Sequence, residues 1–210
     1  MNGLLSRNFL TTRETERHSI LNIHNPFHEK KEDAQMKWVG IIDAYKQLGL
    51  NGPVLLDLGC GVSSLPLYFK QFVPTVYAID MVSPANKHLF DACGVQFRQE
   101  SADAMSFSEN TIDIVTDSCA VGCSMDLEKV LPCVFKCLKP GGYFISVGDS
   151  CLTEHRVPFA SPTFWRTAAL RAGFEIIGGD DERPLDSCFS FQYNQYKLFI
   201  SRLVLRKPVS

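Results

Sequence analysis

After Asn51-Gly52-Pro53 the chain alternates short, β-rich apolar runs with segments of helix length, and this alternation most limits what it can fold into. Strands are expected at 54–58, 76–79, 95–98, 112–116, 143–147, 174–177 and 197–205. The first five are largely apolar with few alternating polar positions, as in strands covered on both faces. Helices are expected between them at 65–72, 84–93, 127–138 and 162–172. Ser83-Pro84 and Ser161-Pro162 are helix starts, and Gly94 and Gly173 are stops. Alternating β and α units give a parallel sheet with right-handed crossovers and helices on both faces. The end breaks the rule: strand 174–177 is followed by a polar stretch, 178–186, and then by strand 197–205 with no helix between. Adjacent strands without a crossover helix run antiparallel. The expectation is an α/β fold with a mostly parallel, seven-stranded sheet and one antiparallel strand near the C-terminus.

The residues before this pattern read differently. Thr11 and Glu14 fit a capping box, and Asn25-Pro26 is a second helix start. Trp38, Ile41, Ile42, Tyr45 and Leu48 then form one apolar helix face, stopped by Gly49. Residues 1–50 are therefore expected to be a helical cap or lid, ahead of a main domain at 51–210. A length of 210 residues suits one domain with such an appendage.

A formal charge of -2 argues against nucleic acid or an anionic membrane as the main partner, since both reward a basic surface. No apolar run approaches the ~20 residues that span a bilayer. The first twenty residues lack the apolar core of a signal peptide, and Glu14 and Glu16 count against a mitochondrial transit peptide. Arg7 and Arg13 keep that second alternative open. With no signal peptide, the eight cysteines read as free thiols in a reducing compartment, and the expected localisation is cytoplasmic.

In a doubly wound sheet the ligand lies beyond the carboxyl ends of the strands, where the strand order switches. The segment there is V-L-L-D-L-G-C-G, residues 54–61. Gly59 and Gly61 allow a sharp turn and close approach of a ligand, and the next helix points its N–H groups at the loop. Asp80 closes the second strand, where a carboxylate can accept from two ribose hydroxyls. Together these specify an adenosine-containing cofactor. A dinucleotide loop prefers a third glycine, but Ser64 stands at that position. Asp57 lies two residues before Gly59. A carboxylate there repels a pyrophosphate and attracts a ligand carrying an ammonium and a sulfonium. That favours S-adenosylmethionine over NAD.

The chain resembles the class I S-adenosylmethionine-dependent methyltransferases, with their Rossmann-like sheet, from residue 54 to about 205. The resemblance rests on D-L-G-C-G at 57–61, Asp80, Ser101-Ala102-Asp103-Ala104, D-I-V-T-D at 113–117 and L-K-P-G-G at 138–142, together with the reversed last strand. It implies that Gly59, Cys60 and Gly61 lie along the cofactor, with Asp57 near its amino-acid end. Asp80 would hold the ribose, and Met81 would pack on the adenine. Asp103 would accept from the adenine amino group, and the Ala104 N–H would reach a ring nitrogen. Asp117 would lie near the ammonium and the reacting methyl. Each has a plainer alternative: Asp103 as a solvated loop acid, Asp117 as a cap on the following segment, Met81 as core. The first loop, G-C-G-V-S-S, departs from the family in lacking a third small residue, and Ser63 or Ser64 could donate to the cofactor carboxylate instead.

Methyl transfer needs alignment first, and a base only where the acceptor arrives protonated. His155, after the fifth strand at the ligand end, is the candidate base; a solvated loop histidine is its alternative. His24 and His28 flank the N-terminal helix start, and His88 reads as surface. Phe27, Trp38, Phe159 and Trp165 are pocket candidates that are more often core. Cys119 and Cys123, and Cys133 and Cys137, have the wrong spacing for a zinc ribbon, and no metal is expected. The expected acceptor is an oxygen or nitrogen of a small molecule, since no separate recognition domain is evident and D-S-C-A stands where N-P-P-Y-like tetrapeptides occur. A protein side-chain methyltransferase and a non-catalytic cofactor-binding partner subunit remain as alternatives.

Overall fold

The computed structural model describes residues 40–118, 120–121, 126–151, 162–178, 189–193 and 196–209. A first helix, α1, covers residues 40–47. There follow β1 (Val54–Leu58), α2 (Leu65–Lys70), β2 (Thr75–Asp80), α3 (Lys87–Cys93), β3 (Gln96–Gln99) and β4 (Ile112–Ser118). The chain continues with α4 (Leu127–Cys137), β5 (Leu138–Cys151), α5 (Pro162–Arg171), β6 (Glu175–Gly178), β7 (Phe189–Tyr193) and β8 (Tyr196–Arg206).

The sheet runs β3-β2-β1-β4-β5-β8-β6, with β7 also paired to β8. β1 through β5 are mutually parallel, and β8 is antiparallel to β5, β6 and β7. The expected path of mostly parallel strands with one reversed strand is present. The eighth strand, β7, is an addition: F-S-F-Q-Y alternates apolar and polar residues and pairs with β8 from Phe189↔Ile200 to Tyr193↔Tyr196. The helices end close to where glycines were expected to stop them. After α3, Val95 N–H reaches the Phe90 carbonyl at 2.9 Å; after α5, Phe174 N–H reaches that of Ala169 at 3.1 Å. The start of α3 is later than Ser83-Pro84 suggested, because residues 85–86 form a turn first.

Strand alternation divides the core in two. On one face Leu56, Leu58, Val115, Phe144 and Leu205 pack under α4 and α5. On the other, Leu55, Ile114, Ile145 and Val204 pack under Ile41, Ala44 and Tyr45 of α1, Leu65 and Phe69 of α2, and Phe90 of α3. Full burial of each such side chain contributes roughly 1.5–3 kcal/mol. Trp165, a pocket candidate in sequence, belongs to the first core.

The two motifs D-I-V-T-D and L-K-P-G-G meet at the amino end of β4. The β4–β5 register moves from Ile112↔Leu138 to Ile114↔Tyr143, so extra residues of β5 bulge beside Asp113. Lys139 Nζ donates to Asp113 Oδ1 at 2.7 Å, and Val54 N–H donates to Oδ2 at 3.0 Å. A Cβ on Gly142 would lie 2.9 Å from the Asp113 carbonyl oxygen, so the second glycine of L-K-P-G-G is required by close packing. Asp113 therefore anchors the sheet at the end away from the glycine loop.

Candidate functional site

The strand order reverses at β1 and β4, which opens a crevice at their carboxyl ends. Three carboxylates gather there, from Asp57, Asp80 and Asp117.

The loop after β1 is fastened to the end of β2. Cys60 N–H donates to the Ile79 carbonyl at 3.0 Å, and Gly61 N–H donates to Asp80 Oδ2 at 2.9 Å. Asp80 Oδ1 accepts from Val82 N–H at 3.0 Å. Asp80 thus spans the ends of both strands, and each of its oxygens keeps acceptor capacity. Gly61 has φ +47, and a Cβ there would meet nothing within 4 Å. Left-handed backbone requires this glycine, and open space lies above it. The Cys60 side chain is turned into the core, where burial pushes its thiol well above the ordinary range. What Cys60 offers a ligand is backbone. Ser63 Oγ accepts from Leu65 N–H at 3.1 Å, so Ser63 rather than Ser64 ties down the start of α2. Ser64 is exposed and makes no capping bond with its side chain.

Asp57 is 1% exposed and accepts from Thr116 Oγ1 at 2.6 Å. Burial pushes its carboxyl up to about 7; the Thr116 bond opposes the rise, and Asp117 and Asp80 add to it. Asp117 is fully buried. Its Oδ1 accepts from Ala120 N–H at 2.9 Å and Val121 N–H at 3.0 Å, and its Oδ2 from Ser146 Oγ at 2.7 Å. The capping alternative for Asp117 is what its hydrogen bonds show. Thr116 is the register partner of Asp57, and Ser146 that of Asp117, so two buried acid–hydroxyl pairs lie on opposite faces of the sheet.

The rim is apolar. Val62, Met81 and Val82 are 50%, 40% and 51% exposed, so Met81 is a surface side chain rather than core. The Met81 carbonyl accepts from Gln99 Nε2 at 3.1 Å, and Asn86 Nδ2 reaches the Val62 carbonyl at 3.3 Å. Asp103 is half-buried and accepts from Ser101 Oγ, and its carbonyl accepts from Cys133 Sγ at 3.4 Å. Ala104 N–H donates to the Ser101 carbonyl at 3.0 Å, so this donor is already used within the turn.

Sequence reasoning gave no role to Thr116, Ser146 or Asn86. The signal for Thr116 stood inside D-I-V-T-D, where its parity with Ile114 puts it on the Asp57 side. His155, Cys119, Cys123, His24, His28, Phe27, Trp38 and Phe159 lie outside the described residues. His88 is exposed on α3. Cys137 is buried on α4, with its thiol pushed up to about 12 by burial.

These features suit a cationic adenosine ligand: uncompensated acid below the loop, a carboxylate at the end of β2, apolar rim side chains and free space over Gly61. Among the described residues no helix is long and apolar enough to cross a membrane.

Residues 56–146 match the family model described as "Methyltransferase domain". Arginine-hydroxylase NDUFAF5, mitochondrial, of Danio rerio is 32% identical over 109 residues, covering 50% of this chain and 34% of that protein. Arsenite methyltransferase of Aquipseudomonas alcaligenes is 30% identical over 116 residues, covering 47% of this chain and again only 34% of the relative's length. The structure of Burkholderia thailandensis 1,6-didemethyltoxoflavin-N1-methyltransferase, with 1,6-didemethyltoxoflavin and S-adenosylhomocysteine bound, has TM-score 0.61 at 17% identity. That likeness covers 97% of this chain and 87% of the other, and at such identity it is a likeness of fold. Residues 56–146 thus match a methyltransferase domain, within a fold similar to that of methyltransferases of known structure.

Proposed function

We propose that the protein transfers the methyl group of S-adenosylmethionine to an oxygen or nitrogen of a small-molecule acceptor. The observation that carries this reading is the glycine loop tied to Asp80 above the buried Asp57. In the reading, Gly59, Cys60 and Gly61 present backbone to the cofactor, and Asp57 faces its cationic amino-acid end. Asp80 holds the ribose hydroxyls, Met81 covers the adenine, and Asp103 accepts from the adenine amino group. Ser64 is exposed and offers a hydroxyl to the cofactor carboxylate, while Ser63 uses an acceptor site at the start of α2 and keeps its own O–H to donate. Asp117 acts through the segment it caps. Ala104 N–H reaches the adenine only by giving up its bond to Ser101.

The cofactor supplies a methyl group already activated by sulfonium. The protein's part is to align the acceptor behind that methyl and to exclude water. When bound, the cofactor would give its methyl to the acceptor oxygen or nitrogen and keep the S–C electron pair on sulfur. Any acceptor proton passes to a base, assigned to His155 from its place in the sequence. Within residues 1–50, α1 belongs to the core through Ile41, Ala44 and Tyr45, so the lid role is assigned to the residues before it, and the localisation is assigned as cytoplasmic.

A second reading is hydroxylation of a protein arginine, which the names of the Danio rerio and Homo sapiens relatives favour. Hydroxylation needs an oxidant that S-adenosylmethionine does not provide, so methyl transfer stands first. The test is transfer of label from methyl-labelled cofactor to a panel of small hydroxyl and amine acceptors, with arginine-containing peptides in the same panel. Labelled small molecules support the proposal. Label on peptide alone moves the acceptor to protein, and a peptide gaining oxygen without label favours the second reading.

A further inference from the structure

We propose that cofactor uptake at this site is coupled to loss of one proton from Asp57, a carboxyl group that Thr116 holds in place beneath the glycine loop. The inference rests on the cofactor reading above.

Asp57 lies in β1 at 1% exposure, with Thr116 of β4 at 0% beside it. The Thr116 hydroxyl is neutral, so it orients the carboxylate without cancelling its charge. Among the described residues, the titratable groups that act on Asp57 are acids or a thiol: Asp80 from the end of β2, Asp117 from the other face of β4, and the Cys60 thiol from the next turn. No described cation faces it. A carboxylate so placed has lost water and gained two like charges, and both raise its proton affinity, toward a midpoint of about 7 in the free protein; below that midpoint an arriving countercharge finds it protonated.

A ligand bearing an ammonium and a sulfonium is such a countercharge. As it binds, the O–H bond of Asp57 breaks, the pair stays on the carboxylate, and the proton goes to solvent. Well below the midpoint the affinity should then rise tenfold per pH unit; above it, that rise should stop. Thr116 acts through Asp57 and is a positioning residue. Its bond favours the ionised form, so its loss should move the midpoint upward.

The experiment is calorimetric titration of the full chain with S-adenosylmethionine at pH 6 and pH 8, each in two buffers of different ionisation enthalpy. The expected result is release of close to one proton at pH 6. At pH 8 that release is gone, and the ligand's own α-amino group, with a pKa of about 8, takes up part of a proton instead. Asp57→Asn should bind more weakly, with buffer-independent heats at pH 6. That variant separates Asp57 from imidazoles, which titrate in the same range. Thr116→Val should shift the release to higher pH, which a merely structural role would not do. Binding at pH 6 with buffer-independent heats, or release retained in Asp57→Asn, would overturn the proposal while leaving the cofactor reading intact. A folded wild type that binds at neither pH removes the cofactor reading and this inference together.

Discussion

The two ends of the parallel sheet treat the same residue type in opposite ways. At the amino end, Asp113 has a lysine on one oxygen and a backbone N–H on the other. At the carboxyl end, Asp57 has, among the described residues, a hydroxyl as its hydrogen-bond partner and carboxylates as its charged neighbours. Coulomb attraction stabilises the first acid where it stands; the second is destabilised in the absence of a partner. The difference separates an acid that builds the fold from one held ready for a ligand. Burial alone does not make that distinction, since both are largely out of water; the sign of the surroundings does.

The largest expected effect falls at the carboxyl end and raises stability. The Asp57 carboxyl stands at about 7 in the fold against 3.8 in an unfolded chain. A raised carboxyl binds its proton more tightly in the folded state. Its stabilising contribution is therefore full below pH about 4 and lost as pH rises through about 7. Asn at this position does not titrate. Asp57→Asn should exceed wild type in stability at pH 8 by up to about 4 kcal/mol, with the gap closing toward pH 4. Urea denaturation across that range checks it, and a gap independent of pH would break the comparison. At the amino end the sign is opposite. Asp113→Ala leaves Val54 N–H and Lys139 without their acceptor and should cost about 2–3 kcal/mol, with cofactor affinity unchanged. A loss of affinity equal to the loss of stability would show that the two ends are not separable. Smallest is Asp80→Ala. It should weaken S-adenosylmethionine binding by tenfold or more, about 1.4 kcal/mol, with little change in urea midpoint. A large drop in stability would make Asp80 a structural tie, through Gly61 N–H, more than a ribose ligand.

What the sequence made legible were features written in neighbouring residues. The glycine loop, Asp80 at the next strand end and the β–α alternation all have local spacing, and strand parity puts the apolar residues on two faces. What it hid depended on pairings between strands. The sequence shows Asp117 as an acid at a strand end, but not its bonds to Ser146, from β5, and to the N–H groups of Ala120 and Val121. Asp113 and Lys139 stood in separate motifs, joined only by the bulged register of β4 and β5. β7 escaped notice because F-S-F-Q-Y is half polar, and its backbone partners lie in β8. Conversely, Met81 could be read either way from sequence, and its exposure decides for the rim.

The most direct measurement is a crystal structure of the full chain grown with S-adenosylhomocysteine. The account predicts the ligand across Gly59 and Gly61, its ribose hydroxyls on the Asp80 carboxylate and its adenine against Met81. Ligand bound elsewhere, or a ribose that leaves Asp80 bonded only to Gly61 and Val82, would contradict it.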